Sequence, residues 1–232
     1  MSPRLGILAA MDRELDAVLA DLRDRRAERV LGRTFHAGSL HGADAVAVIS
    51  GIGKTAVATT TTLLIERFAA HAIVLIGVAG RVSDALAVGD VVIASELVHH
   101  DLDARPIFPR YEVPALRTAR LPTDARLAER AAAAAMRFAA GRGTVARGLV
   151  LSGDQFLGEE RIAELRGRFP DGLAVEMEGA AVAQVCIESG TPCAVVRTIS
   201  DGGDAASFRR FLERDAGEYA RGILAALVPT LA

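Results

Sequence analysis

The sequence contains no tryptophan, and aromatic residues make up only 4 % of its 232 residues. A core with so few rings must be built mainly from alanine, valine, leucine and isoleucine. Hydrophobic residues still form 51 % of the chain and charged residues 24 %, values typical of a globular protein with a sizeable core. The length suits one α/β domain, so we expect a single domain over residues 1–232.

Cysteine and excess charge are also scarce. The two cysteines, Cys186 and Cys193, lie in apolar segments, which predicts buried free thiols in a reducing compartment. The formal net charge is −2 and no basic run stands out, so a nucleic-acid partner is not expected.

Long apolar runs are absent as well. None approaches the roughly 20 residues of a membrane-spanning helix, and we expect no membrane association. The first residues lead straight into a strand-like segment without the pattern of a signal peptide, which favours a cytoplasmic location.

Apolar runs alternate with segments of helical periodicity along almost the whole chain. The runs typical of strands cover residues 5–10, 34–40, 45–50, 72–76, 91–97, 146–151, 173–175 and 193–199. The helical segments cover residues 11–22, 51–70, 123–138, 159–169, 178–188 and 208–227. This alternation predicts a three-layer α/β/α sandwich with a central mixed β-sheet. Residues 101–123 are irregular and contain four prolines, so we expect a functional loop or an interface there.

Acidic residues follow several of the predicted strands, where binding sites of α/β sheets collect. The most prominent are Glu14, Glu176, Glu178 and Asp201. A set of carboxylates at one sheet edge suits acid/base chemistry or cation binding. Three of these acids also have a plain structural interpretation, because Glu14 and Glu178 suit the first turn of a helix and Asp201 suits a helix N-cap.

The order and spacing of these segments resemble the 5′-methylthioadenosine/S-adenosylhomocysteine nucleosidases of the purine nucleoside phosphorylase superfamily. The resemblance runs nearly end to end, and its specificity comes from the motifs taken together. They are Gly6-Ile7 with Ala10-Met11 and Glu14, then Ser-Gly-Ile-Gly-Lys at 50–54, Gly-Val-Ala-Gly at 77–80, Val-Gly-Asp-Val-Val at 88–92, Ser-Gly-Asp-Gln-Phe at 152–156, Val-Glu-Met-Glu-Gly-Ala at 175–180 and Val-Arg-Thr-Ile-Ser-Asp at 196–201.

The resemblance implies a role for each of the central side chains. Glu14 would activate the attacking water, and Arg197 would help to orient that water. Glu178 would accept hydrogen bonds from the ribose hydroxyls. Asp201, with Ser200 beside it, would donate a proton or a hydrogen bond to N7 of the leaving adenine.

The resemblance also implies which other residues contact the substrate. Phe156 would stack on the base, Leu157 would read the adenine edge through its backbone, and Met177 would pack on the sugar. The remaining contacts implied are Met11, Ile52, Val78, Glu176, Phe208, Arg105 and Ile107.

The implied reaction is hydrolysis of the N-glycosidic bond of a 5′-substituted adenine nucleoside. Its transition state resembles an oxocarbenium ion, so a carboxylate near the sugar and a proton donor at the base both lower the barrier. Asp201 must then be protonated and Glu14 ionised, which requires different environments. The spacing of the histidines and cysteines does not match a known metal-binding motif, so neither a metal nor an organic cofactor is expected.

Three features depart from the commonest family pattern. Val78 stands where serine is frequent, and Arg81 stands where a second glycine is usual. The loop at about 101–114 carries Arg105 and Arg110, which are either surface arginines or partners for an anionic 5′ tail, as in a futalosine-type substrate. In the family this loop completes the site of a neighbouring subunit, which implies a homodimer.

Two other functions remain open from the sequence. A phosphate-dependent purine nucleoside phosphorylase would use arginines to hold phosphate, including one in the strand at 73–76, where this chain has Ile-Val-Leu-Ile. A nucleoside-binding sensor on the same fold would need no catalysis. The presence of Glu14, Glu178, Arg197 and Asp201 together favours the hydrolase.

Overall fold

A computed structural model describes residues 4–231 of the chain. The prediction about a signal peptide concerns in part residues 1–3, which lie outside the described residues. Within residues 4–231 the strands are β1 (Arg4–Ala9), β2 (Leu22–Val30), β3 (Arg33–Leu40), β4 (Ala43–Ile49), β5 (Ala70–Arg81), β6 (Val91–His99), β7 (Leu121–Pro122), β8 (Val145–Ser152), β9 (Gly172–Glu176) and β10 (Cys193–Asp201). The helices are α1 (Asp12–Leu19), α2 (Lys54–Glu66), α3 (Ala125–Ala139), α4 (Glu159–Arg168), α5 (Gly179–Ser189), α6 (Ala205–Arg214) and α7 (Ala216–Leu227).

The strands form one mixed sheet in the order β10-β6-β8-β9-β5-β1-β4-β3-β2, with β7 beside β6. Strand β10 pairs with β6 on one side and with β5 on the other, so the sheet closes on itself as a five-stranded ring. Parallel pairs such as β1 with β5 stand beside antiparallel pairs such as β5 with β9. The predicted mixed sheet is confirmed, whereas its closure was not predicted.

Helices cover both faces of the sheet, as the sequence predicts. Helices α1, α3 and α7 pack on one face around buried side chains such as Leu15 and Ile223. Helices α2 and α5 pack on the other face around Leu64 and Val182. No helix within residues 4–231 is long and apolar enough to cross a membrane.

Two local predictions were wrong. Helix α1 ends at Leu19, and residues 22–30 form the edge strand β2 rather than the end of a helix. Only Leu22 is buried in β2, so the strand lacks the alternation that reveals a half-buried strand, and charge is a common way to protect a sheet edge. The final helix is two helices, α6 and α7, which meet at Asp215.

Gly38 lies opposite an irregularity in β2, where the pairing shifts between Arg23 and Arg26 and Asp24 has a positive φ of 53°. A Cβ on Gly38 would lie 2.4 Å from the backbone oxygen of Arg23. The bulge brings the two backbones too close for any side chain, which explains glycine in the middle of β3.

We therefore predict that Gly38→Ala lowers the free energy of unfolding by about 1–3 kcal/mol, because the backbone of β2 must move to admit the methyl group. Gly167→Ala in α4 is the control, since a Cβ there meets no atom within 4 Å. That variant should gain about 0.5–1 kcal/mol from alanine's helix preference. Urea unfolding followed by circular dichroism measures both, and equal effects of the same sign would contradict the prediction.

Candidate active site

A cavity of about 330 Å³ opens where β1, β8, β9 and β10 end, beside the last residues of β5. Strand ends meet here because the sheet is largely parallel around β1, β5 and β10. The structure brings twelve of the candidate residues together in its wall. They are Met11, Glu14, Ile52, Val78, Phe156, Leu157, Glu176, Met177, Glu178, Ser200, Asp201 and Phe208.

Glu14 lies in the first turn of α1, directly after β1, and is 1 % exposed. One carboxylate oxygen accepts the N–H groups of Ala10 at 3.0 Å and Met11 at 2.9 Å, and the other accepts the N–H of Val78 at 3.0 Å. Val78 contributes only its backbone N–H to this bond, so valine in place of the serine that is frequent in the family leaves the bond intact. Burial raises the pKa of Glu14, while Arg197 and the three N–H donors oppose that rise.

Arg197 is fully buried in β10 and does not form part of the cavity wall. Its Nη2 donates to Glu176 and, at 3.2 Å, to Glu178, and its charge also acts on Glu14. One arginine therefore serves three buried carboxyl groups. It lies behind the carboxylates and holds them, rather than facing a substrate directly.

Glu176 uses both carboxylate oxygens within the protein. One accepts the hydroxyl of Ser152 and the N–H of Gly179 at 3.0 Å. The other accepts Arg197 and the N–H groups of Glu178 at 3.1 Å and Gly179 at 2.8 Å. Glu176 therefore accepts the N–H groups at the start of α5 and orients Arg197, although its side chain also borders the cavity.

Glu178 precedes α5 and accepts the N–H of Gly53 at 2.8 Å. Burial raises its pKa to about 7; the nearby Glu176 and Glu14 add to the rise, and Arg197 opposes it. The carboxyl group thus changes charge near neutral pH, and its ionised form is ready to accept hydrogen bonds from hydroxyl groups.

Gly77 makes this arrangement possible. A Cβ on it would lie 2.5 Å from Nη1 of Arg197 and 2.5 Å from a carboxylate oxygen of Glu14. The two charged groups therefore occupy the space that any side chain would need. Glycine inside an apolar strand is the sequence signal for such close approach.

Asp201 ends β10 on another part of the wall and is 2 % exposed. Its Oδ1 accepts the N–H of Gly203 at 2.8 Å, and its Oδ2 lies 2.8 Å from the hydroxyl oxygen of Ser200. Burial raises the pKa of Asp201 more than these two contacts lower it. The hydroxyl of Ser200 also lies 3.2 Å from the carbonyl oxygen of Ala79. Since it has one hydrogen, donation to Ala79 leaves the hydroxyl oxygen free to accept a hydrogen bond from the protonated carboxyl group of Asp201.

Two aromatic rings stand at the mouth of the cavity. Phe156 follows β8 and Phe208 lies on α6, and their ring centroids are 5.5 Å apart in an edge-to-face arrangement. Phe156 is 51 % exposed, and Ile52 beside it is 56 % exposed. This apolar rim suits a flat, partly apolar ligand that enters from solvent.

The structure does not bring Arg105 and Ile107 into the wall of this cavity. Ile107 is 81 % exposed, and Arg105 bonds to Asp103 through Nε at 2.8 Å. Arg110 lies 3.6 Å from the same aspartate. Both arginines therefore already face a carboxylate, which weighs against their holding an anionic tail.

Several wall residues were not singled out from the sequence. Ala10, Ala79, Gly80 and Gln155 lie next to residues that were, and the motifs that contain or adjoin them were the available signal. Val175 of β9 likewise belongs to the motif at 175–180, whereas Ile162 of α4 reaches the cavity only through the fold and looks like ordinary core in its local sequence. Ser152 was noted only as part of a motif, although it holds Glu176.

Comparisons with known proteins identify the family of this chain. Residues 4–229 match the family model of the phosphorylase superfamily. The chain is 38 % identical over 229 residues to the 5′-methylthioadenosine/S-adenosylhomocysteine nucleosidase of Geobacillus thermodenitrificans, with 97 % of this chain and 96 % of that protein covered.

Two solved structures illustrate the similarity in fold. The nucleosidase of the same name from Neisseria meningitidis, in complex with methylthio-immucillin-A, gives a TM-score of 0.92 at 35 % identity, covering 98 % of this chain and 99 % of that one. A futalosine hydrolase of Helicobacter pylori gives 0.88 at 33 % identity, covering 99 % of each chain. The chain therefore belongs to the 5′-methylthioadenosine/S-adenosylhomocysteine nucleosidase family of the phosphorylase superfamily.

Proposed function

We propose that this protein hydrolyses the N-glycosidic bond of a 5′-substituted adenine nucleoside of the methylthioadenosine or S-adenosylhomocysteine type. The products are adenine and the substituted ribose. One observation carries the proposal: a single cavity is lined by Glu14, Glu178 and Asp201, burial raises the pKa of all three, and different neighbours oppose that rise at each. The names of the relatives support the same reaction.

Asp201 acts as the acid that protonates the leaving base. Adenine leaves with negative charge developing on the ring, and a proton donor there lowers the barrier. Burial keeps the carboxyl group of Asp201 protonated to higher pH than an exposed aspartic acid. Gly203 and Ser200 hold the two carboxyl oxygens in place, so the group needs no reorientation during the reaction.

Glu14 acts as the base that activates water, and Glu178 binds the ribose hydroxyls. Three backbone N–H groups hold Glu14 and favour its ionised form, while burial raises its pKa and so makes its carboxylate a stronger base. The positive charge that develops on the sugar is stabilised by these nearby carboxylates. Arg197 is the positioning residue for Glu178, directly and through Glu176.

Phosphorolysis is disfavoured by the charge of the cavity. Within the described residues its wall contains no lysine or arginine, whereas a phosphate dianion is normally held by such cations. Phosphate would instead approach Glu14 and Glu178, and like charges repel it. A water molecule meets no such barrier, so hydrolysis fits the site better.

The assignment of the acid is tested by adenine release from methylthioadenosine. Asp201→Asn should slow kcat by about 100- to 10,000-fold, because an amide cannot donate the proton that the acid supplies. Glu14→Gln should cause a loss of the same order, since an amide cannot accept a proton from water.

Asp124→Asn is the matched control for this experiment. Asp124 lies outside the cavity wall and caps α3 by accepting the N–H of Leu127 at 2.7 Å, and asparagine caps a helix equally well. The control should keep the wild-type rate. Full activity of Asp201→Asn would contradict the assignment, and no adenine release by the wild type would favour a nucleoside-binding sensor.

We also propose that the protein is a homodimer in which the loop at residues 101–114 completes the neighbouring site. Ile107 is the most exposed of the large hydrophobic side chains within residues 4–231, and it stands away from the cavity of its own chain. Covering it with a second copy removes apolar surface from water.

The predicted cytoplasmic location stays a prediction, which cell fractionation would check.

Sedimentation velocity tests the dimer. The wild type should sediment as two chains, and Ile107→Glu should shift the equilibrium toward one chain and raise KM, because a buried unpaired carboxylate opposes association. Met136→Glu, at another exposed apolar side chain on α3, should remain a dimer. A monomeric wild type, or an Ile107→Glu variant that matches Met136→Glu, would overturn the proposal.

A further inference from the structure

Arg81 stands at the end of β5, where the chain leaves the cavity, and the proposed reaction gives it no role. It pairs with Ala174 of β9, and its Nη1 donates to the carbonyl oxygen of Leu86 at 3.1 Å. Among residues 4–231 it forms no salt bridge. Other contacts must therefore hold this half-buried guanidinium group, and they include the turn that follows Asp201.

The guanidinium group of Arg81 lies against Gly202. A Cβ on Gly202 would lie 3.1 Å from Nε, 3.6 Å from Nη2 and 3.8 Å from Cζ of Arg81. Glycine at 202 therefore lets the planar group lie directly on the backbone of the turn.

The next residue of the same turn, Gly203, is also closely packed. Gly203 has a φ of +104°, and a Cβ on it would lie 2.6 Å from the backbone nitrogen of Glu159 and 2.9 Å from the carbonyl carbon of Gly158. The two residues after Asp201 thus pack closely against Arg81 and against the start of α4, and both contacts confine the backbone of the turn.

This confinement matters because Gly203 donates its N–H to Oδ1 of Asp201 at 2.8 Å. Next in the chain, Asp204 caps α6, which carries Phe208 over the cavity. We propose that Arg81 is a positioning residue: it fixes the turn at 201–204, so that the carboxyl group of Asp201 points at the leaving base. This inference rests on the proposed function, in which Asp201 is the acid.

Arg81→Met tests the proposal, because methionine keeps an apolar stem and removes the planar cationic group. With methylthioadenosine, kcat should fall roughly 10-fold or more while KM changes little, since misplacing a catalytic group by about 1 Å can cost 100-fold. Arg166→Met is the matched control. Arg166 contacts the segment that follows Arg81 between β5 and β6. It bonds to the carbonyl oxygen of Val82 at 2.7 Å and to Asp84 at 2.7 Å, and within the described residues neither contact involves Gly202.

A second substrate separates positioning of the acid from a general structural effect. In 5-methylthio-ribose linked to p-nitrophenol, the leaving group departs as a stable anion and needs no proton. Arg81→Met should therefore cleave it at close to the wild-type rate. Gly202→Ala, which places a methyl group against the guanidinium from the other side, should reproduce this selective loss.

The outcomes are distinct. Selective loss with the adenine substrate, absent in Arg166→Met, supports the role of Arg81. Equal losses with both substrates, or equal behaviour of the Arg81 and Arg166 variants, would overturn it while leaving the proposed function intact. A wild type that releases no adenine would instead remove the proposed function itself. If Arg81→Met does not fold, Gly202→Ala decides in the same way.

Discussion

A single buried guanidinium group, that of Arg197, faces three carboxyl groups, and the rest of the site depends on this imbalance. It bonds directly to Glu176 and Glu178 and acts on Glu14 through its charge. Buried charges are costly unless paired, and one cation cannot offset three anions. Burial raises the pKa values of both Glu14 and Glu178, Arg197 opposes the rise only in part, and Glu178, with a pKa of about 7, can exchange protons near neutral pH. An isolated surface carboxylate lacks that property.

The second constraint is that acid and base have different environments in one cavity. Burial raises the pKa of Glu14, and Arg197 and three N–H donors oppose that rise. Burial also raises the pKa of Asp201, where only the contacts with Ser200 and Gly203 oppose the rise. Pairs of carboxyl groups whose surroundings differ in this way can take opposite roles in one reaction. The closed ring of strands maintains the separation, because β10 carries both Arg197 and Asp201 and is paired on both sides.

The sequence predicts those parts of the molecule that have a local signal. Buried strands such as β5 and β10 are apolar runs, and acids such as Glu178 and Asp201 follow directly after them. The edge strand β2 escapes detection because charge covers both of its faces. The closure of β5 on β10 is a long-range pairing that no window of sequence reports.

The same limit applies within the site. The resemblance placed Arg197 beside the water, but its partners Glu176 and Glu178 follow from the packing of β10 against the start of α5. Ile162 looks like core in the sequence and reaches the cavity only in the fold. Ile107 and Arg105 lie away from the cavity of their own chain, so their predicted contacts depend on a second copy.

We conclude that a cavity lined with carboxylates, and without a lysine or arginine from residues 4–231 in its wall, uses water as the nucleophile. The most direct measurement is mass spectrometry of the sugar product formed from methylthioadenosine in phosphate buffer made with oxygen-18 water. The account predicts free methylthioribose that carries the heavy oxygen at its anomeric carbon, together with adenine. Formation of methylthioribose 1-phosphate without heavy-oxygen incorporation would contradict it.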